Sequence, residues 1–517
     1  MSGQQKTAAQ QAGDGTADAA TGDLFGNWIG AGAALFRTAH PDRAAAWKRR
    51  LEMNAPEIEL LRSLPVAGQP QVLPTVPPAA LNPAARLAAT GLEGQGGADA
   101  VAAAQTRMRE IAALNYVTHE IADNPEGGPS EGKGWLAGVP FAVKDLTAVA
   151  GAPLSDGSAG QRWPEQDAKV IANLRAAGAV PVAMANLHEL AFGITGDNIH
   201  HGNAGHPSDA DRITGGSSSG SAGLVAAGAV PFAVGTDTAG SIRIPAALCG
   251  CVGFKPSYGL LSREGGTPLA WSLDHLGPLA MDVAGAAAAT FAMAGLEPEV
   301  VSNPDDGASG PLRLLRPTSF FFDVIEPSAA EAIEAALAAL AAAGIEIGST
   351  DISETRFAAA AQFATIAPEA FEANRHRLEA APENLSEDVR VRLEIGQFMR
   401  SVDYVRAQRF RGLLSQRFHE AMEGGALLVT PSVPLGAPRR GATMVHAAGR
   451  DWPIHTLITR CTAPFNLTGM PAISLPCGMD AEGMPVALQL VAPYGEDGRL
   501  LRAAAMVEAV LAGHLAA

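Results

Sequence analysis

Two short turns rich in glycine and serine constrain the fold of this chain more than any other feature. Residues 214–222 read TGGSSSGSA, residues 235–245 read GTDTAGSIRIP, and the apolar segment 223–234 separates them. Glycine adopts backbone dihedrals that a Cβ forbids, so such turns bring the backbone close to a bound group. Several backbone N–H groups then point at one spot, which suits an anion or a developing oxyanion.

The side chains of these turns predict serine chemistry with a lysine base. Upstream, residues 138–145 read GVPFAVKD and place Lys144 at the end of an apolar, strand-like run. A serine hydroxyl attacks a carbonyl only if a base removes its proton, and neither turn contains a histidine. A free lysine has a pKa of about 10.4, and burial in an apolar pocket lowers it by several units. Lys144 is therefore the candidate base, and it needs an intervening hydroxyl to reach the nucleophile.

The segments around residues 135–257 and 461–493 resemble the amidase signature family. The second segment contains APFNLTGMPAISLP, which is similar to the C-terminal part of that family. The resemblance implies a Ser–cis-Ser–Lys triad, with Lys144 as the general base, Ser217 as the bridging serine in a cis peptide and Ser241 as the nucleophile. It also implies an αβα sandwich with a mixed central β-sheet covered by helices on both faces.

The resemblance further implies an oxyanion hole and residues that support it. The predicted donors are the N–H groups of Thr238, Ala239, Gly240 and Ser241. Asp237 and Arg243 flank the nucleophile and, together with Ser218, are expected to hold the turn rather than to react. Two residues depart from the family pattern, because Ser219 and Ala239 stand where the family usually has glycine. Ala239 requires its turn to tolerate a Cβ.

The sequence gives a weaker signal for the residues that contact the substrate. His200 and His201 lie in a polar loop and are either site residues or structurally hydrogen-bonded, and they are the alternative candidates for the base. The predicted walls of the acyl pocket are Phe192, Ile194, Trp271 and Cys461.

Strand-like runs that alternate with helical segments predict an α/β protein with a mostly parallel or mixed sheet. Residues 1–45 are predicted to be mainly a disordered tail, because they contain few large apolar side chains. Residues 46–134 form a helical and proline-rich region, with helices expected over 44–62 and 99–114. Residues 135–517 are the expected catalytic domain, and residues 353–424 are a helix-rich insertion. A capping box at residues 328–331 is expected to open a helix.

Composition excludes several classes of partner. The net charge is −16, and the longest basic cluster is residues 48–50, so neither nucleic acid nor an anionic membrane is expected. No apolar run approaches the ~18 residues of a spanning helix, and the N-terminus lacks a signal-peptide pattern, which predicts a cytoplasmic protein. The cysteines fit neither a disulfide framework nor a zinc site, so no metal or cofactor is expected and all four are predicted to be buried apolar residues: Cys249, Cys251, Cys461 and Cys477.

The resemblance to the amidase signature family implies a hydrolase that acts on carbon–nitrogen bonds other than peptide bonds. The expected substrate is a small linear amide, or a related carbamate, urea or ester, and a homodimer is left open. The main alternative is a glutaminase-type subunit of a tRNA-dependent amidotransferase. A catalytically silent scaffold is a third reading, and the intact triad argues against it. A phosphate-binding loop at 215–222 is disfavoured, because it lacks the lysine of the G-x-x-x-x-G-K-[ST] motif.

Overall fold

The computed structural model describes residues 41–61, 63–65, 71, 73–121, 134–298 and 312–515. Residues 1–40 of the predicted tail lie outside the described residues. The next five residues belong to a helix that begins at Pro41. The helices are α1 (Pro41–Met53), α2 (Ala55–Leu61), α3 (Ala85–Thr90), α4 (Ala98–Glu110), α5 (Lys169–Ala176), α6 (Ser219–Ala226), α7 (Arg243–Cys249), α8 (Val283–Met293), α9 (Pro327–Ala342), α10 (Ala358–Ala380), α11 (Glu387–Gly396), α12 (Ser401–Ala421), α13 (Ile454–Thr459), α14 (Ala463–Leu467) and α15 (Asp497–Leu515).

Eleven strands form one mixed sheet, in the order β1-β3-β2-β4-β6-β5-β12-β13-β9-β7-β8. Strands β2, β3 and β4 are parallel neighbours, β7 is parallel to β8 and β9, and the other pairings in this sheet are antiparallel. The α/β prediction with a mixed sheet is therefore confirmed. The strands are β1 (Val117–Glu120), β2 (Pro140–Lys144), β3 (Val180–Ala185), β4 (Phe232–Asp237), β5 (Val252–Lys255), β6 (His275–Ala280), β7 (Arg313–Pro317), β8 (Glu346–Thr350), β9 (Leu427–Pro431), β10 (Met444–Ala447), β11 (Arg450–Pro453), β12 (Ala472–Met479) and β13 (Pro485–Val491).

Hydrophobic side chains cover the sheet on both faces. In β2, Phe141 and Val143 pack into one cluster with α3, α5, α8, α9 and α15, whereas Ala142 between them packs into another cluster with α4 and α6. In β9, Val429 joins the first cluster and Leu428 joins a third one with α10 and α12. Successive side chains of a strand point to opposite faces, so buried neighbours along one strand require a layer of helices on each side.

Two predicted helix boundaries are corrected by the structure. The single helix expected over 44–62 is divided at Asn54 into α1 and α2, because Pro56 is tolerated only in the first turn of a helix. The capping box at residues 328–331 does not open α9. The N-cap is Glu326, whose carboxylate accepts a hydrogen bond from the Ala329 N–H at 3.0 Å, while Pro327 occupies the first helical position.

Helices α10, α11 and α12 occupy most of residues 353–424, the segment expected to be helix-rich. Helix α10 packs against α11 and α12 and also against α2 and α14. This arrangement brings the N-terminal helices α1 and α2 next to the helices that follow β8. Both sets of helices border the site described below.

Candidate active site

Lys144 is the last residue of β2 and is fully buried. The neighbouring strand β4 runs parallel to β2, and Val143 of β2 pairs with Val234 of β4. The Lys144 Nζ donates hydrogen bonds of 2.7 Å to the Ser217 Oγ and 2.7 Å to the Thr236 Oγ1. Burial lowers the pKa of Lys144 to about 7, although the negative charges of Asp237 and Asp274 oppose the shift. A lysine in this setting is available as a neutral amine near pH 7.

The first glycine-rich turn places Ser217 above Lys144. The peptide bond between Gly216 and Ser217 is cis, and Gly215 has φ +74°; a Cβ there would lie 2.9 Å from the Leu248 Cδ1 and 3.2 Å from the Ile244 Cγ2. The next residue, Ser218, fastens the turn to β4, because its Oγ donates to the Thr236 carbonyl at 3.2 Å. A side chain at position 215 would therefore need both a strained φ and space that is already filled.

Ser241 lies two residues before α7 and lines a cavity of about 330 Å³. Its carbonyl accepts a hydrogen bond from the Ser218 N–H at 3.2 Å, so the two glycine-rich turns are joined next to Ser217. The hydroxyl-bearing residues of both turns and Lys144 are thus gathered at one end of β2 and β4. Within this group, Ser241 and Thr238 border the cavity, and the Thr238 hydroxyl is engaged with Asp274 at 2.6 Å.

The backbone of the second turn corrects one predicted oxyanion donor. The Gly240 N–H is already engaged, because it donates to the Asp237 Oδ1 at 2.7 Å. This bond removes Gly240 from the predicted set. The N–H groups of Thr238, Ala239 and Ser241 make no hydrogen bond to a described residue. The Ala239 Cβ is tolerated, since this residue is not among those with positive φ.

Asp237 and Arg243 form a fully buried ion pair behind the turn. The Arg243 Nη2 lies 2.9 Å from the Asp237 Oδ1 and also donates to the Asn466 Oδ1 at 2.6 Å, while Nη1 donates to the Gln489 Oε1 at 2.7 Å. Burial raises the pKa of Asp237, but the charge of Arg243 outweighs it and holds that pKa below its usual range. Gly240 follows with φ +133°, and a Cβ there would lie 2.2 Å from the Thr462 Oγ1. The buried ion pair and the lack of space for a side chain at position 240 therefore hold the turn in this conformation.

Of the four residues predicted to form the walls of the acyl pocket, two line the Ser241 cavity and two do not. Phe192 and Ile194 line the cavity of Ser241. Trp271 instead lines a neighbouring cavity with Thr238 and Asp274, and its side chain is 45% exposed. Cys461 is fully buried in the hydrophobic cluster with α10 and α12 and is not among the lining residues, so its prediction as a pocket wall is wrong. The prediction that the four cysteines are buried is confirmed.

His200 and His201 lie in a loop that Asn198 holds together. Both backbone N–H groups donate to the Asn198 Oδ1, and the His201 Nε2 lies 3.1 Å from the Ser158 carbonyl. The His200 Nε2 lies 3.3 Å from the Glu189 Oε1. Neither residue is among those that line the Ser241 cavity. Their contacts match the reading of structurally hydrogen-bonded histidines.

Several residues of the site were not singled out by the sequence. Thr236 contacts Lys144 directly, and its position in the second glycine-rich segment is the one signal that could have found it. Three others hold the turn from distant parts of the chain. Asp274 accepts from the Thr238 Oγ1 at 2.6 Å, Gln362 donates to the Thr238 carbonyl at 3.0 Å, and Thr462 donates to the Ala239 carbonyl at 2.6 Å. No local pattern marks these contacts.

The described residues contain neither a membrane-spanning helix nor a metal-binding cluster. No helix in the described part of the chain is long and apolar enough to cross a membrane. Within the same residues, no group of three or more His, Cys, Asp or Glu side chains is placed to hold a metal ion.

Comparison with known proteins decides the family. The profile of the family described as Amidase matches residues 103–501. The chain belongs to the amidase signature family. This member is 34% identical to AtzE, which belongs to the 1-carboxybiuret hydrolase of a Pseudomonas species, over 72% of this chain and 84% of that protein. It is also 34% identical to a glutamyl-tRNA(Gln) amidotransferase subunit from a Picosynechococcus species, over 74% of this chain and 86% of that protein.

The fold of this family member agrees with the same assignment. A crystal structure of an amidase superposes with a TM-score of 0.74 and 33% identity, and the match covers 84% of this chain and 99% of the other. The chain is thus an enzyme of the amidase class, whose members hydrolyse carbon–nitrogen bonds other than peptide bonds. The members differ in what they act on, so the reaction of this one depends on its own site.

Proposed function

We propose that this chain is an amidohydrolase that cleaves a small linear amide through an acyl-enzyme on Ser241. The observation that carries the proposal is the 2.7 Å contact between the Lys144 Nζ and the Ser217 Oγ, beside a cavity bordered by Ser241. A neutral lysine can accept a proton. A bridging hydroxyl can accept a proton from the nucleophile while it gives its own proton to the lysine. This is the chemistry that a serine nucleophile requires.

In the first half of the proposed reaction, the Ser241 Oγ attacks the amide carbonyl carbon. The proton of Ser241 moves to the Ser217 Oγ, and the proton of Ser217 moves to the Lys144 Nζ. The carbonyl oxygen becomes an oxyanion, which the N–H groups of Thr238, Ala239 and Ser241 stabilise. When the oxyanion collapses, the C–N bond breaks, and the leaving amine takes the proton back from Lys144 through Ser217.

The second half repeats these steps with water. A water molecule attacks the acyl-enzyme ester and gives its proton to Lys144 through Ser217. The ester C–O bond breaks, Ser241 regains a proton, and the carboxylic acid product leaves. Every proton that is taken up in one half-reaction is returned in the same half-reaction, so the proposal needs no co-reactant besides water.

A second candidate function is that of a glutaminase-type subunit in a tRNA-dependent amidotransferase. The similarity to the Picosynechococcus amidotransferase protein favours it. Such a subunit works inside a complex, whereas the first candidate works alone. The two functions therefore predict different activities of the isolated chain.

The deciding experiment is ammonia release by the purified chain, measured with aliphatic amides, aryl amides, carbamates, ureas and glutamine. Hydrolysis of small amides by the isolated chain, absent in Ser241→Ala, supports the amidohydrolase. If glutamine is the one substrate in the panel that releases ammonia, and only after amidotransferase partner subunits are added, the second candidate would be favoured. A wild type that neither releases ammonia nor reacts with a fluorophosphonate at Ser241 would refute the proposal.

A further inference from the structure

Five arginines are among the described residues that line the Ser241 cavity. Their presence contrasts with the whole chain, which carries a net charge of −16. One acidic residue, Glu57, is among the described lining residues. The lining arginines come from α1, α11 and β11, from the segment before α10 and from the position after α13: Arg50, Arg392, Arg450, Arg356 and Arg460.

Most of these arginines have no carboxylate partner. Among the described residues, Arg392 is the one member of the group in an ion pair, with its Nε 2.8 Å from the Asp388 Oδ2. Three others lie over aromatic rings, with guanidinium carbons 3.5–4.8 Å from the ring centroids: Arg356, Arg450 and Arg460. An arginine over an aromatic ring retains its charge and its capacity to bind an anion.

Arg50 is the most informative member of the group. Its guanidinium makes neither an ion pair nor a hydrogen bond with any residue in the described part of the chain. Arg50 is partly buried. Burial lowers the pKa of Arg50 to about 9, and the nearby positive charge of Arg392 acts in the same direction, while the negative charges of Asp388 and Glu57 oppose the shift. Neither carboxylate is in hydrogen-bond contact with the Arg50 guanidinium among the described residues, so a ligand carboxylate would supply the contact charge that this partly buried cation lacks.

The position of Arg50 connects it to the reacting groups. Arg50 and Arg392 border both the Ser241 cavity and a second cavity that contains His188. The His188 N–H donates to the Ser217 carbonyl at 3.1 Å, so this second cavity adjoins the bridging serine. A substrate amide at Ser241 can therefore extend toward Arg50 without leaving the cavity.

The walls between these two ends are mainly apolar. They consist of aliphatic and aromatic side chains from the loop before the first glycine-rich turn, from the segment before β6 and from α10: Phe192, Ile194, Leu269, Phe363 and Ile366. Such walls suit a hydrocarbon linker, and a polar linker would lose its hydrogen bonds to water there. The exposed Arg356 and Arg450, with the more buried Arg460 and Arg392, would attract an anion toward the interior.

We infer that the substrate is an amide joined by an apolar linker to a carboxylate, and that Arg50 binds this carboxylate with support from Arg392. The inference rests on the proposed function, because it names the substrate class of the same site. A carboxylate matches the planar fork of a guanidinium, which can donate two parallel hydrogen bonds. A dianionic group fits less well, because Glu57 borders the cavity and its Oε2 is buried without a partner.

The test compares pairs of amides that differ only in this charge. The monoamides of succinic, glutaric, adipic and suberic acid are matched with butanamide, pentanamide, hexanamide and octanamide, and ammonia release is measured for each. For the best pair, we expect kcat/KM of the monoamide to exceed that of the neutral amide by about 10- to 100-fold. A ratio near one in the wild type would overturn the inference, while hydrolysis of the neutral amides would leave the proposed function intact.

Variants of Arg50 test whether this residue causes the preference for the monoamide over the neutral amide. Arg50→Met should bring the ratio of kcat/KM for the best pair close to one, mainly through a higher KM for the monoamide. Arg50→Lys should retain part of the ratio, because it keeps the charge and loses the fork. Arg49→Met is the matched control, since Arg49 is the exposed neighbour on α1 and does not line the cavity. A ratio that survives in Arg50→Met, or that falls equally in Arg49→Met, would contradict the assignment.

Two further measurements separate the remaining outcomes. Faster hydrolysis of a phosphonate analogue of the best monoamide would overturn the choice of a carboxylate. If no amide is hydrolysed, the proposed function fails and anion binding is tested by itself, through the effect of adipate and hexanamide on the melting temperature. Stabilisation by adipate in the wild type and in Arg49→Met, but not in Arg50→Met, supports the carboxylate site, and its absence in the wild type refutes it.

Discussion

Lys144 and Thr236 are hydrogen-bonded across two neighbouring parallel strands, with the lysine Nζ 2.7 Å from the threonine Oγ1. The same Nζ lies 2.7 Å from the Ser217 Oγ, so the amine is held between two hydroxyls. No carboxylate forms an ion pair with Lys144 within the described residues. The site thus gives the lysine hydrogen-bond partners without the contact charge that would keep it protonated.

The pH dependence of the reaction should report this arrangement. Because the neutral amine is the proposed base, kcat/KM should rise with pH through the pKa of Lys144, which burial lowers to about 7, and should then reach a plateau. The measurement is a pH profile of kcat/KM with a neutral amide. Lys144→Ala should remove both the inflection and most of the rate, and Lys144→Arg should not restore it, since a guanidinium stays charged. An unchanged profile in Lys144→Ala would assign the base to a histidine, such as His200 or His201.

Thr236 should act as a positioning residue for this base. Thr236→Val removes a hydrogen-bond acceptor of the ammonium form, so the pKa of Lys144 should fall and the inflection of kcat/KM should move to lower pH. We also expect the plateau rate to fall by about tenfold, because the amine loses one of its two anchors. Thr236→Ser keeps the hydroxyl and should restore the wild-type inflection. A loss of rate without any shift of the profile would indicate a purely structural role.

Ser241 should be the residue that is acylated. Ser241→Ala should lower kcat/KM by about 10⁴-fold or more, because the other triad members have no nucleophile to activate. A fluorophosphonate should add one label to the wild type and none to the variant, as measured by intact mass. Ser219→Ala is a matched control from the first turn, since the Ser219 Oγ bonds the Asn186 carbonyl and makes no contact with Lys144. Labelling at a serine other than Ser241 would contradict the assignment.

The sequence predicted the parts of the fold that depend on local pattern. Strand β2 was marked by a short apolar run, and the residues that meet beyond its end were marked by glycine and serine in tight turns. The cap of α9 was misplaced by two residues, because Glu326 and Pro327 supply the start of the helix just before the pattern that resembled a capping box. Local patterns allow such shifts, since several nearby residues can satisfy the same N–H groups.

The parts that the sequence could not predict depend on distant contacts. Arg50 was an unremarkable member of the basic cluster 48–50 until α1 was seen to pack beside α11, where it meets Arg392 in one cavity. Cys461 lies next to Arg460, which lines the cavity, yet its own side chain points into the hydrophobic core. Which side of a short segment faces a cavity is decided by packing against elements far along the chain, and no spacing in the segment encodes it.

The buried pair of Asp237 and Arg243 should be essential for stability rather than for chemistry. Asp237→Asn leaves the fully buried guanidinium without a counter-charge, so we expect a loss of about 3–5 kcal/mol in the free energy of unfolding, measured by urea denaturation. The double variant Asp237→Asn/Arg243→Met should lose less than the sum of the two single variants, because it leaves neither charge alone. Glu346→Gln is the control: its pair with Arg313 is about half exposed on both sides, and the change should cost less than about 1 kcal/mol. Additive losses at Asp237 and Arg243 would show that the two side chains stabilise the turn independently.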